Sequence, residues 1–147
     1  MQVEGITPIM NVSDIGQSLH WFERLGWSRR WTYNDGGSIK DAADGDEHGP
    51  ANFCAVGSGK CEIFLCRDGQ GGRGGPPPKH LGDDTRGVWM SLWLESPAAV
   101  DAAYREAMDA GVLVGVPPHD MPWGVREFLL VHPDGHTFRV GAGLAED

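Results

Sequence analysis

The stretch PWGVREFLLVHPDGHTFRV, from Pro122 to Val140, decides the fold of this chain because it predicts two strands joined by a tight turn. Val125 to Val131 is rich in β-branched, aromatic and leucine residues, which favour strands. His132-Pro133-Asp134-Gly135 has the preferences of a type I turn, since proline presets φ and aspartate bonds to its own backbone. Thr137 to Val140 then predicts the returning strand of a β-hairpin.

The same hairpin pattern occurs earlier in the chain, which makes the sequence a tandem repeat. FCAVGSGKCEIFL, from Phe53 to Leu65, aligns without a gap with the residues from Phe128 to Val140. Two helical stretches also repeat, since Ser13 to Trp27 and Ser96 to Val112 each begin at a serine, run to a glycine and follow an apolar strand. Either Ser13 or Asp14 is expected to cap the first helix. The repetition predicts that one β-α-β-β-β module occurs twice.

The predicted fold class is therefore α+β, with two tandem β-α-β-β-β modules forming a cupped mixed sheet whose helices lie on the outer face. The first module covers residues 1–66 and the second residues 86–147. Residues 67–85 are rich in glycine and proline and are expected to be a linker, because such a composition cannot pack a core. A module of about 60 residues buries little surface alone, so we expect the two halves to share a sheet or an interface.

The remaining elements follow from hydrophobic periodicity and from capping residues. In the first module we expect a strand, a helix, a second strand and a long polar loop, at Gly5–Val12, Asp14–Leu25, Trp27–Tyr33 and Asn34–Pro50. In the second module we expect a strand, a helix, a second strand and a loop, at Val88–Leu94, Ala98–Ala110, Val112–Val116 and Pro117–Gly124.

Charge and hydropathy exclude several classes of function. The formal charge is −9, from 21 acidic and 12 basic residues, whereas nucleic-acid binding requires a basic face. No apolar run approaches the roughly 18 residues of a membrane span and no signal sequence is recognised, so we expect a cytoplasmic protein that binds neither nucleic acid nor membrane. The three cysteines, Cys54, Cys61 and Cys66, match no zinc pattern and are expected to be reduced, buried thiols.

Alternation along the strands separates two faces of the predicted sheet. The helix-facing set is apolar and comprises Ile63, Leu65, Val88, Met90, Leu92, Leu94, Phe138 and Val140. The opposite set mixes aromatic and polar residues and comprises Glu62, Phe64, Cys66, Trp89, Ser91, Trp93, Glu95, Thr137, Arg139 and Gly141, with Thr7, Ile9 and Asn11 on the first strand. Such a surface suits a flat organic ligand, through stacking, cation–π contact and orienting charges. Alternatively, Trp89 and Trp93 lie in a subunit or inter-module interface.

These signatures cover nearly the whole chain and resemble the vicinal oxygen chelate superfamily, which holds glyoxalase I, extradiol dioxygenases and bleomycin-resistance proteins. The matching residues are Pro8, Val12-Ser13-Asp14, Ser18, Trp21-Phe22, Leu25-Gly26-Trp27, Pro122-Trp123-Gly124, Arg126-Glu127-Phe128 and Pro133-Asp134-Gly135. The Pro-Trp-Gly and Arg-Glu-Phe runs, with the strand at Val88-Trp89, are most similar to the bleomycin-resistance branch. The resemblance implies a homodimer that builds its ligand clefts between subunits.

The resemblance also implies where metal ligands would lie in the metal-dependent members. Those positions fall on Thr7, Phe64, Trp89 and Arg139 in this sequence, where His, Gln or Glu would be needed. An arginine there would repel a divalent cation. We therefore expect neither a metal site nor a cofactor.

The histidines and Trp123 are further candidates. His132 and His136 flank the hairpin turn and are expected as solvated imidazoles, whereas His20 lies on the first helix and His48 and His80 lie in polar loops. His119, beside Asp120 in the loop before the last hairpin, borders the expected cavity and is a candidate general base.

Trp123 is held by Pro122 and Gly124, as a stacking surface requires, or else it packs on the sheet as a lid. Trp27 and Trp31 share one face of the second strand with Arg29 and Tyr33 and are expected in a core or interface. No Ser-His-Asp or Cys-His nucleophile is recognisable, so no catalytic residue is assigned.

The sequence favours a metal-independent protein of the bleomycin-resistance type, which binds and sequesters an antibiotic-like ligand that is aromatic and cationic. The expected ligand-binding residues are Thr7, Glu62, Phe64, Trp89, Trp93, Glu95, Trp123, Phe128 and Arg139. Two alternatives stay open. One is a glyoxalase- or dioxygenase-like enzyme, a lyase, isomerase or oxidoreductase with non-standard metal ligands. The other is a metal-free scaffold or cofactor-free enzyme.

Overall fold

The computed structural model describes residues 1–34, 39–41, 51–73 and 87–145, which belong to two compact units, Met1–Gly72 and Arg73–Asp147. The first unit contains β1 (Ile9–Val12), α1 (Ile15–Arg24), β2 (Ser28–Asn34), β3 (Ile39–Asp41), β4 (Ala51–Ser58) and β5 (Cys61–Arg67). The second contains β6 (Trp89–Trp93), α2 (Pro97–Asp109), β7 (His119–Asp120), β8 (Val125–Val131) and β9 (Thr137–Gly143). The α+β class and the tandem repetition are confirmed.

The described strands form two sheets, one in each unit. The strand order is β1-β5-β4-β2-β3 in the first and β6-β9-β8-β7 in the second. In both, the strand that precedes the helix pairs in parallel with the last strand of the hairpin, and the other pairs are antiparallel. The predicted repeat is therefore a repeat of topology as well as of sequence.

The two helices begin and end in the same way. Asp14 accepts a hydrogen bond from the Gln17 amide at 2.8 Å, and Ser96 accepts one from the Ala99 amide at 3.1 Å, so each helix has a side-chain N-cap. Each ends in a Schellman motif, in which Gly26 or Gly111 takes a positive φ and the next residue bonds back to the last helical turn. The glycines are needed because the left-handed region is costly for other residues.

The core lies between each helix and one face of its sheet. In the first unit the helix buries Ile15, Leu19, Trp21 and Phe22 against Met10, Val12, Val56, Ile63 and Leu65. In the second unit α2 buries Val100 and Ala107 against β8 and β9, and Tyr104 makes an edge contact with the ring of Phe128.

A bulge in β2 overturns one expectation about side-chain faces. Arg29 pairs with Val56 and Trp31 with Ala55, so Arg30 is the extra residue and alternation is interrupted. Arg29 therefore lies on the helix side, with an ion pair to Glu23 at 3.2 Å, while Trp31 lies on the opposite side. Trp27 precedes the strand and packs its ring on Phe22 of α1. The prediction that Trp27, Arg29, Trp31 and Tyr33 share one face is wrong.

Several predicted boundaries also differ. The first strand begins at Ile9 rather than Gly5, and Val112–Val116 forms a single bridge, Val114 to Leu130, instead of a strand. His119 and Asp120 form the short β7 rather than part of a loop, since they pair with Glu127 and Arg126. The predicted loop Asn34–Pro50 contains β3. The rest of that loop, His48, His80 and most of the linker lie outside the described residues.

The hairpin turn is built around two buried histidines, so the prediction of solvated imidazoles is wrong. His132 and His136 are both fully buried, with ring centroids 5.4 Å apart. The Nδ1 atom of His132 accepts from the Asp134 amide, and that of His136 accepts from the Val88 amide, which ties the turn to the start of β6. Burial, reinforced by the neighbouring His136, lowers the pKa of His132 to about 3.

The cysteines are free thiols in different environments. Cys54 is buried, and desolvation raises its pKa to about 12. Cys61 is exposed and Cys66 is half-buried, so the prediction of three buried thiols is correct for Cys54 alone. Neither of the described helices is both long enough and apolar enough to cross a membrane.

Candidate ligand-binding site

The sheet face of the second unit that points away from α2 carries the candidate site. The register pairs Trp89 with Thr137, Ser91 with Arg139 and Trp93 with Gly141, so these residues share one face. On the next strand Glu127 lies opposite Gly141. This is the face that alternation assigned to the ligand.

A cavity of about 270 Å³ opens on this face. Its lining is aromatic and apolar with three polar groups, and comprises Trp89, Val116, His119, Met121, Trp123, Glu127, Phe128, Leu129 and Arg139. The two tryptophans are 50% and 59% exposed, respectively, although large aromatic side chains are usually covered. The cavity therefore has broad aromatic walls that are about half exposed.

Backbone hydrogen bonds fix the turn that carries Trp123. The Gly124 amide bonds to the Met121 carbonyl at 3.0 Å, and the Met121 amide bonds to the Val125 carbonyl at 2.7 Å. Gly124 has a φ of +81°, which glycine adopts at little cost. Its carbonyl accepts in turn from Leu144, so both ends of the turn are anchored to the sheet. The aromatic wall is thus positioned before any ligand arrives.

An ion pair lies beside the aromatic walls. Nη2 of Arg139 donates to both carboxylate oxygens of Glu127, at 3.0 and 2.7 Å. The Glu127 side chain is 10% exposed and that of Arg139 is 37% exposed. The Arg139 guanidinium also stands 5.8 Å from the ring centroid of Trp123, in cation–π range.

His119 does not form the suggested pair with Asp120. Its Nδ1 atom lies 3.0 Å from the Pro117 carbonyl oxygen, to which it donates. Asp120 instead accepts from Arg126 at 2.9 Å, and Arg126 also binds Asp101 of α2 at 2.8 Å. Because neighbouring residues on a strand point to opposite faces, His119 lines the cavity while Asp120 fastens β7 to the helix side.

Of the other predicted site residues in the second unit, Phe128 alone lines this cavity. Trp93 is 67% exposed on the same strand as Trp89 but does not line it, and Glu95 is exposed just beyond β6. The ring of Phe128 packs against Tyr104 although the residue borders the cavity. Glu62 and Phe64 lie on β5 of the first unit, and Thr7 is exposed before β1.

The first unit carries an aromatic cluster on its corresponding face. Trp31, Phe53 and Phe64 have ring centroids 5.2 to 5.6 Å apart. A larger cavity of this unit, about 410 Å³, lies on the helix side at the start of α1 and has no aromatic wall. We therefore take the smaller cavity of the second unit as the candidate site, because aromatic walls and orienting charges meet there.

The residues present do not fit a divalent metal ion. The positions implied by the resemblance offer a hydroxyl, two aromatic rings and a guanidinium that is already paired with Glu127. Within residues 1–34, 39–41, 51–73 and 87–145, no group of three or more His, Cys, Asp or Glu is placed to hold one.

Four lining residues were not predicted from the sequence: Val116, Met121, Glu127 and Leu129. A signal for Glu127 and Leu129 was present, since Phe128 pairs with Val140 on the helix side and its neighbours must therefore point to the other face. Met121 had no signal, because it enters the cavity through the shape of the turn before Val125.

The chain is similar to a known protein family. The family model described as "Glyoxalase/Bleomycin resistance protein/Dioxygenase superfamily" matches residues 5–140. No curated protein sequence matches the chain.

Three solved structures illustrate the likeness. A glyoxalase/bleomycin resistance protein/dioxygenase from Nocardioides is 17% identical, with a TM-score of 0.66, covering 100% of this chain and 88% of its own. A bleomycin-binding protein complexed with bleomycin is 18% identical, with a TM-score of 0.59 and coverage of 98% and 100%. The fosfomycin resistance protein FosX from Listeria monocytogenes is 13% identical, with a TM-score of 0.64 and coverage of 97% and 95%. At these identities the likeness concerns the fold.

Proposed function

This chain belongs to the Glyoxalase/Bleomycin resistance protein/Dioxygenase superfamily, and we propose that it is a metal-independent protein that binds and sequesters a flat, aromatic, antibiotic-like small molecule. The site is the cavity of the second unit. The observation that carries the proposal is the pair of half-exposed tryptophans, Trp89 and Trp123, at one cavity with a charged pair beside them.

The energetics of the aromatic walls support binding. When a ligand ring covers an exposed indole, the burial of apolar surface stabilises the complex. Aromatic stacking adds roughly 0.5–1.5 kcal/mol to the binding free energy beyond that burial. The cavity of about 270 Å³ is near the lower end of the sizes typical of small-molecule sites. A flat ring system that enters it would meet the side chains of Trp89 and Trp123.

The polar lining favours recognition over catalysis. The Glu127 carboxylate accepts two hydrogen bonds from Arg139 and is largely buried, so it is not poised to take a proton from a substrate. Among the described residues no carboxylate bonds to the His119 ring, which contacts the Pro117 carbonyl, and Asp120 is bound to Arg126. Sequestration requires only affinity, so a lining without a free acid–base pair supports this proposal.

We further propose a homodimer, as the resemblance implies. Trp93 supports this proposal, since it is two-thirds exposed on the ligand-side face of the edge strand β6. An exposed tryptophan on a sheet edge suits a contact with a second copy. The dimer would then extend the ligand cleft beyond the cavity of one chain.

Calorimetric titration with simple naphthalene derivatives tests the binding function. We expect saturation near one ligand per chain without added metal, and Trp89→Ala or Trp123→Ala to weaken binding about tenfold, or ~1.4 kcal/mol. Leu113→Ala removes an exposed apolar side chain outside the cavity and serves as the matched control, with unchanged affinity. Stoichiometric metal in the purified protein, with no binding of any of these compounds, would overturn the proposal.

A further inference from the structure

We infer that the ligand of this cavity is an aromatic acid, whose carboxylate is held by N–H donors of Arg139 while its ring lies against Trp89 and Trp123. The inference rests on the proposed function and names the chemical class of the ligand. It reverses the sign of charge that the sequence alone favoured.

The Glu127 carboxylate is not available to a cationic ligand. Both oxygens of Glu127 accept from Nη2 of Arg139, and only a tenth of the side chain is exposed. A cation would have to displace Arg139 from a short charge-assisted contact, which would leave one buried charge without its partner. Glu127 therefore acts as the counter-charge of Arg139 and does not face the ligand as an anchor.

Arg139 has N–H donors that are not bonded to Glu127. A guanidinium carries five N–H groups, and the contacts to Glu127 run through Nη2 only. Across the described residues, Nε and Nη1 of Arg139 have no hydrogen-bond partner, and over a third of the side chain is exposed. Because Glu127 fixes the side chain from one end, these donors are positioned without further loss of rotamer freedom.

The aromatic wall also favours an anionic ligand over a cationic one. The guanidinium of Arg139 already stands over the ring of Trp123, so one face of that ring is engaged with a positive charge. A second cation on this side would meet the guanidinium, whereas a carboxylate would be drawn to it. The ring of an aromatic acid can meanwhile lie against the indoles of Trp89 and Trp123, which line the same cavity.

The net charge of −9 opposes an anion only at long range. Exposed charges are screened beyond roughly 8 Å at physiological ionic strength, so distant acids contribute little inside the cavity. The ionisable groups that line it are Arg139, Glu127 and His119. Of the two oppositely charged side chains, Arg139 has open donors and Glu127 does not, so Arg139 favours an anion at short range.

A pair of probes that differ in charge tests the inference. The probes are 2-naphthoate and 2-naphthylmethylammonium, and binding is followed by NMR of the indole N–H signals of the six tryptophans. We expect naphthoate to bind at least about tenfold more tightly than the ammonium probe at low salt. Equal affinity, or tighter binding of the ammonium probe, would overturn the inference.

Variants separate the role of Arg139 from that of overall charge. Glu127→Gln removes the counter-charge, and we expect naphthoate to bind several-fold more tightly. The double variant Glu127→Gln/Arg139→Gln leaves no unpaired buried charge, and we expect it to bind both probes equally. Arg105→Gln removes one positive charge from an exposed position on α2 and keeps the preference of the native chain.

The outcomes also distinguish this inference from the function on which it rests. If the ammonium probe binds more tightly and Glu127→Gln abolishes that binding, the site takes cations and only the inference fails. If neither probe shifts the Trp89 or Trp123 signal, the proposed function fails and the inference fails with it. A naphthoate preference that Arg105→Gln abolishes would assign the effect to net charge and would also overturn the inference.

Discussion

At the scale of single residues, burial decides the chemistry more than residue type does. His132 sits in a turn sequence that reads as exposed, yet its ring is covered and its Nδ1 atom holds the Asp134 amide. The sequence predicts Arg139, but not Glu127, as a ligand-binding residue. Their different exposure makes one a buried counter-charge and the other an open donor.

The buried His132 predicts a pH-dependent stability. Its pKa is lowered from 6.5 to about 3, so between these values the unfolded chain binds a proton that the folded chain does not. The free energy of unfolding should therefore fall as the pH falls from 6.5 towards 3, by up to a few kcal/mol. Urea unfolding at several pH values measures this slope.

The matched variant for this prediction is His132→Asn, whose side-chain oxygen can accept the Asp134 amide without titrating. We expect a shallower loss of stability between pH 6.5 and pH 4 than in the native chain. An unchanged slope would show that other groups carry the acid sensitivity.

The three thiols should react at very different rates. Only the thiolate attacks a disulfide reagent, and burial raises the pKa of Cys54 to about 12. We expect exposed Cys61 to react first with a chromogenic disulfide, and Cys54 to react only when the chain unfolds. Cys61→Ser should remove the fastest phase and leave the unfolding-dependent phase intact. A fast phase assigned to Cys54 would contradict the burial.

At the scale of elements, local sequence patterns predicted the helix ends and the strand faces, because local interactions determine them. The cap-to-glycine spacing located both helices to within a residue or two, since caps and Schellman glycines act locally. The alternation on β6 and β9 placed Trp89 and Arg139 on one face, as the register has them. The bulge at Arg30 was not predictable, because one inserted residue leaves no mark on composition and reverses the later alternation.

The helix ends offer a direct test at this scale. Gly26 has a φ of +83°, and a Cβ there would touch nothing within 4 Å, so Gly26→Ala adds conformational strain without a clash. We expect a loss of about 1 kcal/mol in the free energy of unfolding. Gly5→Ala is the control, since its Cβ would also stand in open space but its φ lies outside the left-handed region. Equal effects of the two substitutions would argue against the Schellman ending.

At the scale of the whole molecule, the repeat explains the fold and only part of the site. The ungapped alignment of the two hairpins predicted two modules of one topology, and the sheets agree. The cavity, however, depends on β7 and on the turn at Met121–Gly124, which have no counterpart in the alignment of the two hairpins. Residues brought in by such a turn are visible only once the chain is folded.

The proposed homodimer is testable at this scale. Sedimentation equilibrium should give twice the mass of one chain, and Trp93→Asp should shift the distribution towards the monomer, because it places a charge in the contact. Met108→Asp, at a comparably exposed apolar position on α2, should leave the distribution unchanged. A monomeric native chain at micromolar concentration would contradict the proposal.

The most direct test of the central claim is an indole N–H titration of the native protein with 2-naphthoate. The account predicts saturable shifts of the Trp89 and Trp123 signals at one ligand per chain. The signals of Trp21 and Trp27, which pack at α1 of the first unit, should stay in place. Shifts at Trp21 or Trp27, without change at Trp89 and Trp123, would contradict a ligand site in the second unit.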